Sequence, residues 1–236
     1  MPKRKSARQR PASDEITRTR LLEAAGPAFA SEGFHKAKIR DICARAGANV
    51  AAVNYHFGDK LGLYIEVLRY SVSAAVADPN LIRKAADISP EVKLRGFVRM
   101  MLDSVFKATR PAWYMKLVLQ EMSNPTPAID ELVREFIRPR YRLLCELIGL
   151  MIDQPPKSRI THLCAHSVVG QARHYLIATI VIEKVWPEFT FTEKELEELT
   201  DHITVFSVAG IKAVAAGKAM DEAAAKSRAR KRAANK

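Results

Sequence analysis

The sequence predicts an all-α protein in which an N-terminal three-helix domain is followed by a larger helical domain. In almost every segment the apolar residues recur at the spacing of one helix face, and no stretch combines strand alternation with a hairpin turn. Of the 236 residues, 48% are hydrophobic, which is enough for a sizeable core.

The first helix is predicted to follow Ser13, whose hydroxyl is a suitable N-cap, and to end at Gly33. Pro27 lies inside this helix and removes one backbone hydrogen bond, so we expect a kink there. Its inner face is expected to contain Ile16, Leu22 and Phe29.

Two short helices at 39–46 and 50–57 are joined by the sequence ARAGAN, which is typical of a tight connection between two crossing helices. Gly47 can adopt the positive φ that such a turn requires. Asn49 is a good N-cap for the second of these helices.

The later helices are predicted from their start signals. Ser89 and Thr126 are N-cap residues that each precede a proline, and Thr192 forms a capping box with Glu195. Pro139 lies inside a continuous helical pattern, so we expect a bend there. These predicted helices are 59–76, 90–109, 112–122, 127–152, 157–185 and 193–216.

The net charge of +12 is concentrated at the two ends of the chain. The first ten residues contain five basic and no acidic side chains, and the last nineteen contain seven basic and two acidic ones. We expect basic disordered tails at 1–13 and 218–236, which either attract phosphates or only aid solubility.

Secreted and membrane proteins are not expected from this sequence. The three cysteines are far apart, which is typical of reduced cytosolic thiols and not of a disulfide framework. The basic N-terminus lacks the apolar segment of a signal peptide, and the longest apolar run, at 175–182, has only eight residues. We therefore expect a cytoplasmic protein with no membrane partner.

The helix at 50–57 has small residues on one side. Val50 and Val53 are expected to face inward. Small residues early in a helix allow its N-terminus to enter the major groove of DNA, and an asparagine amide can pair with a base edge. A plain helix pair in an all-α core is the alternative, and the turn alone favours it. The residues left outside are Ala48, Ala51, Asn54 and Tyr55.

The segment ITRTRLLEAAGPAFASEGFHKAKIRDICARAGANVAAVNYHFGDKLGLYIEVL, residues 16–68, resembles the DNA-binding domain of TetR/AcrR-type transcriptional regulators. The shared features are the helix-turn-helix, the Tyr-His-Phe sequence at the end of its second helix and the lysine that follows. The resemblance implies a homodimer that binds a palindromic, double-stranded operator DNA and is released when a small-molecule effector enters the C-terminal domain. The residues then expected at the DNA are Lys38, Arg40, Ala48, Asn49, Ala51, Asn54, Tyr55, His56 and Lys60.

The chain departs from the family pattern at Ala37, where the family usually has a threonine before the first helix of the motif. A capping hydroxyl is therefore missing, and Lys38 is expected to contact a phosphate instead. His56 has no neighbouring ligand or catalytic partner in the sequence, so a structural or backbone-contacting role is favoured for it.

Two further segments, QEMSNPTPAIDELVREFIRPRYRLL and HSVVGQARHYL, resemble the CerR-type C-terminal domain of one subgroup of these regulators. That subgroup is linked with responses to antibiotics or other toxic compounds. The expected domains are a basic disordered tail at 1–13, a helix-turn-helix DNA-binding domain at 14–60, a helical ligand-binding and dimerisation domain at 61–217 and a second basic disordered tail at 218–236.

The C-terminal domain is rich in methionine and aromatic residues, which suit a deformable apolar pocket, although each one alone is more often part of a core. Helices near 157–185 and 193–216 have wide apolar faces, and we expect them to form the homodimer interface. The residues expected at a ligand pocket are Met100, Met101, Phe106, Trp113, Met115, Gln120, His166, Gln171 and His174.

His162 and His166 share a helix face, as two metal ligands would, but no third ligand is evident. We therefore expect no metal and no cofactor. The glycines form none of the patterns GxGxxG, GxxxxGK[ST] or GxSxG, so an enzyme is not expected. An enzyme with an unrecognised helical active site and an architectural DNA-binding protein that relies on its tails are the alternatives.

Overall fold

The computed structural model describes residues 10–73, 82–83, 87–106 and 113–234. These ranges form helices joined by turns and contain no β-strand, as predicted. Residues 1–9 of the predicted tail at 1–13, residues 235–236 of the predicted tail at 218–236, and the predicted helix residues 74–76, 107–109 and 112 lie outside these ranges. The helices are α1 (Arg10–Lys36), α2 (Ile39–Ala46), α3 (Val50–Phe57), α4 (Lys60–Ser73), α5 (Pro90–Phe106), α6 (Tyr114–Ser123), α7 (Ala128–Leu132), a π segment (Val133–Ile137), α8 (Arg138–Ile152), α9 (Arg159–Ile177), α10 (Thr179–Val185) and α11 (Glu193–Ala234).

The chain divides into two compact units. The first contains residues 1–76 and 107–137, and the second contains residues 77–106 and 138–236. α4, α6 and α7 therefore belong to the same unit as the helix-turn-helix. The predicted DNA-binding domain, 14–60, is only part of this first unit. Its boundary at residue 60 therefore stays a prediction.

α1 starts earlier than predicted and is interrupted near its end. It begins at Arg10, so Ser13 is not its N-cap, and Ile16 is 58% exposed and does not belong to the inner face. The break lies at Gly33, where φ is 78° and ψ is 163°. Pro27 lies inside the helix. A proline there lacks one backbone hydrogen bond, but its fixed φ is close to the helical value.

α1 is the central helix of the first unit, since it packs against α2, α3, α4 and α6. The core that surrounds it contains Phe29 from α1 itself, Ile42 from α2, Val53 from α3, Tyr64 from α4 and Leu117 from α6, all of them buried. α2 is therefore positioned mainly by its packing on α1, whereas α3 packs on α4 and α2 as well as on α1.

The indole ring of Trp113 accounts for the glycine at position 26 of α1. A Cβ atom at position 26 would lie 2.1 Å from a ring carbon of Trp113, so the ring packs directly on the helix backbone. Glycine is thus required here by a close approach and not by a bend.

A buried carboxylate links α4 and α6 to the start of α7. Glu121 is 1% exposed. Its Oε2 accepts a hydrogen bond from the Tyr64 hydroxyl at 2.8 Å, and its Oε1 accepts one from the Thr126 N–H at 2.9 Å. The Thr126 hydroxyl lies 3.1 Å from both oxygens. Burial and the neighbouring carboxylate raise the pKa of Tyr64 well above its usual range, so the hydroxyl remains a donor.

Arg69 on α4 is held by three carboxylates. Glu135 accepts from its Nε and Nη2 at 2.8 and 2.6 Å, Glu66 accepts from Nη1 at 2.6 Å, and Glu131 lies 3.3 Å from Nη2. Glu66 also pairs with Arg18 on α1. The hydrogen bonds to Glu135 raise the pKa of Arg69, and Arg69 in turn lowers the pKa of Glu135. This network of ion pairs connects α1, α4, α7 and the π segment.

The irregularity predicted at Pro139 takes the form of the π segment. α7, the π segment and α8 follow one another without a gap, so the predicted helix 127–152 is divided but not broken. Pro139 has no N–H to donate to the preceding turn, and the π segment occupies that turn.

In the second unit, α5 packs against α8, α9 and α11. Arg95 on α5 pairs with Asp201 on α11, and Arg99 pairs with Glu193. By length and composition alone, the stretch Glu193–Gly217 of α11 could cross a membrane. Its acidic side chains pair with α5, which indicates a helix of this folded unit instead.

The predicted helix 157–185 is wrong as a single helix. It is divided at Ala178, where φ is −98° and ψ is 13°, into α9 and α10. The Thr179 hydroxyl donates to the Tyr175 carbonyl at 2.7 Å. A threonine that bonds back to the preceding turn competes with the helical hydrogen bonds and favours a break.

α11 starts as predicted and extends further. The Glu195 N–H donates to the Thr192 hydroxyl at 3.3 Å, and the Thr192 N–H donates to the Glu195 carboxylate at 2.8 Å. The bonds from Thr192 lower the pKa of Glu195 to about 2. The helix continues to Ala234, so the predicted disordered tail is wrong for 218–234. This segment is rich in alanine, which has the highest helix propensity.

Glu121→Ala is expected to lower the free energy of unfolding by about 2–4 kcal/mol, because the Tyr64 hydroxyl and the Thr126 N–H lose their buried acceptor. Urea unfolding of the full chain measures this. Glu188 is exposed, and Glu188→Ala is the control, with an expected change below about 0.5 kcal/mol. Equal stability of Glu121→Ala and the wild type would show that the buried carboxylate does not hold these helices together.

Candidate nucleic-acid interface

The turn between α2 and α3 is built on Gly47, as predicted. Gly47 is left-handed, with φ 59° and ψ 39°. Its N–H donates to the Ala44 carbonyl at 3.3 Å, and the Ala48 N–H donates to the Cys43 carbonyl at 3.0 Å, which is the pattern of a Schellman helix end. A Cβ atom at position 47 would also lie 2.3 Å from a guanidinium nitrogen of Arg20. The left-handed dihedral angles therefore favour glycine, while the exposed Arg20 side chain could move aside.

α3 is held at its start by the predicted cap and along its length by one buried side chain. The Asn49 side chain accepts a hydrogen bond from the Ala52 N–H at 2.9 Å, and Val53 is 1% exposed. Two predicted orientations are wrong. Val50 is 41% exposed because it lines an open groove, and Ala48 packs against the core because it lies in the turn beside α2.

The outer face of α3 is turned away from the core. Ala51, Asn54 and Tyr55 are all exposed. Ala51 leaves room for a close approach near the start of the helix, and the Asn54 amide offers both a donor and an acceptor. This face has the size and the polar groups that contact with base edges requires.

A basic groove of ≈ 760 Å³ lies beside this face. It is lined by residues 35–41 together with Val50 and Lys60. Lys38 and Arg40 are exposed there, and Lys38 is the N-cap of α2 without a side-chain cap hydrogen bond. Four cationic side chains and the positive end of a helix line the groove, against the single carboxylate of Asp41, and this excess of positive charge attracts phosphate groups. The cations are Lys36, Lys38, Arg40 and Lys60.

The departure from the family pattern at Ala37 has a different structural meaning from the one predicted. Ala37 is 2% exposed and belongs to the core, while the cap position of α2 is taken by Lys38. The threonine that the family usually has would therefore stand at a core position next to the cap, and not at the cap itself.

The Lys60 side chain contacts the end of α1. Its Nζ donates to the His35 carbonyl at 3.1 Å and lies 5.1 Å from the centroid of the Phe34 ring. Partial burial lowers the pKa of Lys60. An ammonium group has three donors, so a phosphate contact stays a prediction, but these contacts already join the start of α4 to the end of α1.

The last turn of α3 contacts α1. The Tyr55 hydroxyl donates to Asp14 Oδ2 at 3.3 Å, and His56 Nε2 lies 3.8 Å from Asp14 Oδ1. The His56 ring meets the rings of Tyr55 and Phe57, with centroids 4.9 and 5.9 Å away. Arg18 lies over Phe57, 5.5 Å from its centroid. The Tyr-His-Phe sequence thus docks α3 on α1, which favours the structural role for His56.

The predicted ligand-pocket residues fall into both units. Trp113, Met115 and Gln120 belong to the first unit, where Trp113 is partly buried and packs on Gly26 and against the core. The Gln120 amide donates to the Ala30 carbonyl at 3.0 Å, and its own carbonyl oxygen is buried without a hydrogen-bond partner. Packing therefore explains Trp113, while Gln120 keeps an acceptor that a water molecule or a ligand could use.

The other pocket residues lie in the second unit and have mixed surroundings. Phe106 stacks on Phe191 with centroids 4.4 Å apart, and the Gln171 amide donates to the Ser207 hydroxyl at 3.0 Å. These contacts join α5 and α9 to the region of α11. A pocket role stays a prediction for this set, in which Met100 is buried, Met101, Phe106 and Gln171 are partly buried, and His166 and His174 are exposed.

His162 has polar partners on α8. The Tyr141 hydroxyl lies 2.8 Å from His162 Nδ1, and Cys145 Sγ lies 3.8 Å from the same nitrogen. Across the parts of the chain that the structure describes, no group of three or more His, Cys, Asp or Glu side chains is arranged to hold a metal ion.

These features define a helix-turn-helix DNA-binding protein. A short capped helix exposes its outer face, a glycine turn sets it on a supporting helix, and a basic groove lies beside it. The family model of bacterial regulatory proteins of the tetR family matches residues 21–67, and that of the C-terminal domain of the HTH-type transcriptional dual regulator CecR matches residues 90–211. The chain belongs to the TetR family of transcriptional regulators and has a CecR-type C-terminal domain. The predicted family is confirmed, and the name of its subgroup is corrected from CerR to CecR.

Known proteins similar to this chain are transcriptional regulators. CecR of Shigella flexneri is 25% identical over 207 residues, which cover 80% of this chain and 90% of CecR. BetI of Pectobacterium carotovorum is 29% identical over 133 residues, which cover 55% of this chain and 67% of BetI. The structure of Bacillus subtilis FadR in complex with stearoyl-CoA covers 81% of this chain and 98% of FadR, with a TM-score of 0.57 and 12% identity, a likeness of fold alone. TetR-family regulators are cytoplasmic DNA-binding proteins that dimerise and bind small-molecule effectors.

Sequence analysis missed the residues of α1 that contact α3 and the turn before it. Asp14, Arg18 and Arg20 contact the end of α3 or the turn before it. The spacing of four between Asp14 and Arg18 places both on one face of α1, and this was the available signal. The sequence does not indicate which helix that face meets.

Gly47→Ala is expected to lower the free energy of unfolding by about 1–2 kcal/mol, because alanine is strained in the left-handed region and its methyl group displaces Arg20. Urea unfolding measures the loss. Gly96→Ala is the matched control, since a Cβ at this position in α5 meets nothing within 4 Å. It is expected to leave stability unchanged or raise it by up to about 1 kcal/mol. The same effect from both substitutions would contradict a special role for Gly47.

Proposed function

We propose that this protein is a ligand-responsive transcriptional repressor that binds a palindromic operator as a homodimer. The observation that carries the proposal is the exposed outer face of α3, with Ala51, Asn54 and Tyr55, beside the groove of Lys38 and Arg40. α3 would enter the major groove with Asn54 at a base edge. In the dimer, the two half-sites would lie about one helical turn or slightly more apart.

Phosphate contacts would fix the register of α3 on the duplex. Lys38 and Arg40 are exposed and flank the start of α2, where the helix dipole adds attraction for an anion. Such contacts add affinity for any DNA sequence, whereas Asn54 adds discrimination.

The homodimer is proposed to form through α9, α10 and α11. Apolar side chains along these helices are more than half exposed, an arrangement typical of a surface that a partner covers. Gly170 on α9 and Gly210 on α11 are exposed and have no neighbour within 4 Å of an added Cβ, so a partner helix could approach closely there. The exposed apolar residues are Leu163, Ile177, Ile180, Val181, Val185, Trp186, Val205, Phe206 and Val214.

A small molecule bound among the helices at 90–152 is proposed to release the operator. FadR with stearoyl-CoA is a protein of the same fold that holds a bound acyl-CoA. For this chain the resemblance to the CecR-type subgroup favours a toxic compound or an antibiotic. The effector must bind better to the state that cannot bind DNA, since otherwise it could not shift the equilibrium.

α4 is proposed to carry the effect of the ligand within the first unit. Arg69 ties α4 to Glu131 and Glu135, and Glu66 ties α4 to Arg18 on α1. Because α3 rests on α1, a shift of α4 would change the position of α3. The spacing of the two recognition helices in a dimer would then change as well.

Asn54→Ala is expected to reduce the discrimination between operator and random DNA by about 1–3 kcal/mol, because the base-edge contact is lost. Lys38→Ala is expected to weaken binding to both DNAs by a similar factor and to reduce the salt dependence. Fluorescence anisotropy measures both effects, with a duplex selected by the wild-type protein from a random-sequence pool and with a scrambled duplex. Wild-type binding by both variants would contradict the proposed docking of α3.

Phe206→Asp is expected to shift the protein from dimer to monomer, because the dimer would bury an unpaired carboxylate at a cost of several kcal/mol. Sedimentation velocity at a series of concentrations measures the change. Val92 on α5 is 56% exposed and Phe206 is 63% exposed, so Val92→Asp is the matched control and should remain dimeric. A dimeric Phe206→Asp protein would place the interface elsewhere.

A further inference from the structure

Asp14 places a carboxylate against the last turn of α3. Its Oδ2 accepts a hydrogen bond from the Tyr55 hydroxyl at 3.3 Å, and its Oδ1 lies 3.8 Å from His56 Nε2. Tyr55 belongs to the outer face of α3, and Asp14 lies near the start of α1. An acidic side chain of the same chain thus occupies a hydrogen-bond donor of the DNA-binding surface.

The contact between Tyr55 and Asp14 can open without disturbing the fold. Tyr55 is 74% exposed and the Asp14 side chain is 52% exposed, so water competes for both groups. Exposed hydrogen bonds and ion pairs contribute little to stability for this reason. The His56 side chain is only 9% exposed and is held by its neighbouring rings. α3 is also held by the buried Val53 and by the Asn49 cap, neither of which involves Asp14, so the helix keeps these contacts when Tyr55 leaves the carboxylate.

The Tyr55 hydroxyl cannot serve Asp14 and DNA at the same time. A tyrosine hydroxyl has one hydrogen to donate, and carboxylate and phosphate oxygens are both acceptors. If Tyr55 donates to a phosphate, it leaves Asp14, and the carboxylate then lies close to a second anion. Two like charges at short range repel each other, and this repulsion opposes binding.

We propose that Asp14 is an affinity-determining residue of the DNA-binding surface, which occupies Tyr55 in the free protein and is exchanged for a DNA phosphate on binding. This inference rests on the proposed function, because it requires α3 to lie at the DNA. Each binding event breaks the contact between Tyr55 and Asp14 and brings the carboxylate close to the DNA backbone. Asp14 therefore lowers the affinity of a chain whose net charge of +12 favours binding to any nucleic acid.

Asp14→Asn tests the proposal, because it removes the charge and keeps the shape. Affinity is expected to rise about three- to tenfold for both the selected operator duplex and the scrambled duplex, and more at low salt. Glu15→Gln is the matched control, since Glu15 is the adjacent, exposed carboxylate on α1. It makes the same change in net charge and is expected to alter affinity by less than about twofold.

A double-mutant cycle with Tyr55→Phe separates the exchange from a general effect of charge. In the Tyr55→Phe background, Asp14→Asn is expected to raise affinity by a smaller factor than it does with Tyr55 present, because only the repulsion from the phosphate remains and no hydroxyl is exchanged. Circular dichroism and urea unfolding of each variant check that the fold is intact. The proposal is supported if Asp14→Asn raises the affinity for DNA more in the wild-type background than in the Tyr55→Phe background.

Two outcomes would overturn the inference. Unchanged or weaker binding by folded Asp14→Asn would mean that the carboxylate does not compete with DNA. An equal gain in the Tyr55→Phe background would mean that the Tyr55 hydroxyl is not exchanged between Asp14 and the DNA. Failure of the proposed function would look different, since Asn54→Ala would then leave the discrimination between operator and scrambled DNA unchanged.

Discussion

The DNA-binding surface depends on how an eight-residue helix is anchored at its two ends. A helix as short as α3 is not stable in isolation. Its outer side also has to remain free, so burial along its length is restricted to Val53. The turn at Gly47 and the cap at Asn49 fix the start of the helix, while the Phe57 ring, which packs against the core and lies beneath Arg18, holds its end. Anchoring at the ends is the arrangement that leaves one face exposed and still defines its direction.

The rest of the first unit keeps α1 in place beneath α3. The individual ion pairs of Arg69 and Arg18 are partly exposed, and such pairs contribute little one at a time. Together they connect α1 to α4 and to the segment that follows α6, and the buried Glu121 adds a second connection between α4 and α6. α1 therefore has little freedom to move independently of α4, which is the condition that coupling to an effector would require.

The sequence was sufficient where the signals are local. The bounds of α2 and α3 follow from a glycine turn and an asparagine cap, and the start of α11 follows from Thr192 and Glu195, since each signal acts within one helical turn. The predictions failed where the deciding contact comes from elsewhere in the chain. The contact of Trp113 with Gly26 was not predicted, because the two residues are far apart in sequence. Asp14 was overlooked for the same reason, because nothing near it in sequence indicates that it meets Tyr55.

The length of α11 has a practical consequence. Its last buried side chain within the part of the helix whose side chains the structure describes is Ile211, yet the helical backbone continues to Ala234. At 1.5 Å per residue, this extension is about 35 Å long. A label attached at residue 234 would therefore lie at the end of this helical extension, well away from the last buried side chain of the unit. Distance measurements from such a label would report on the direction in which α11 leaves the unit.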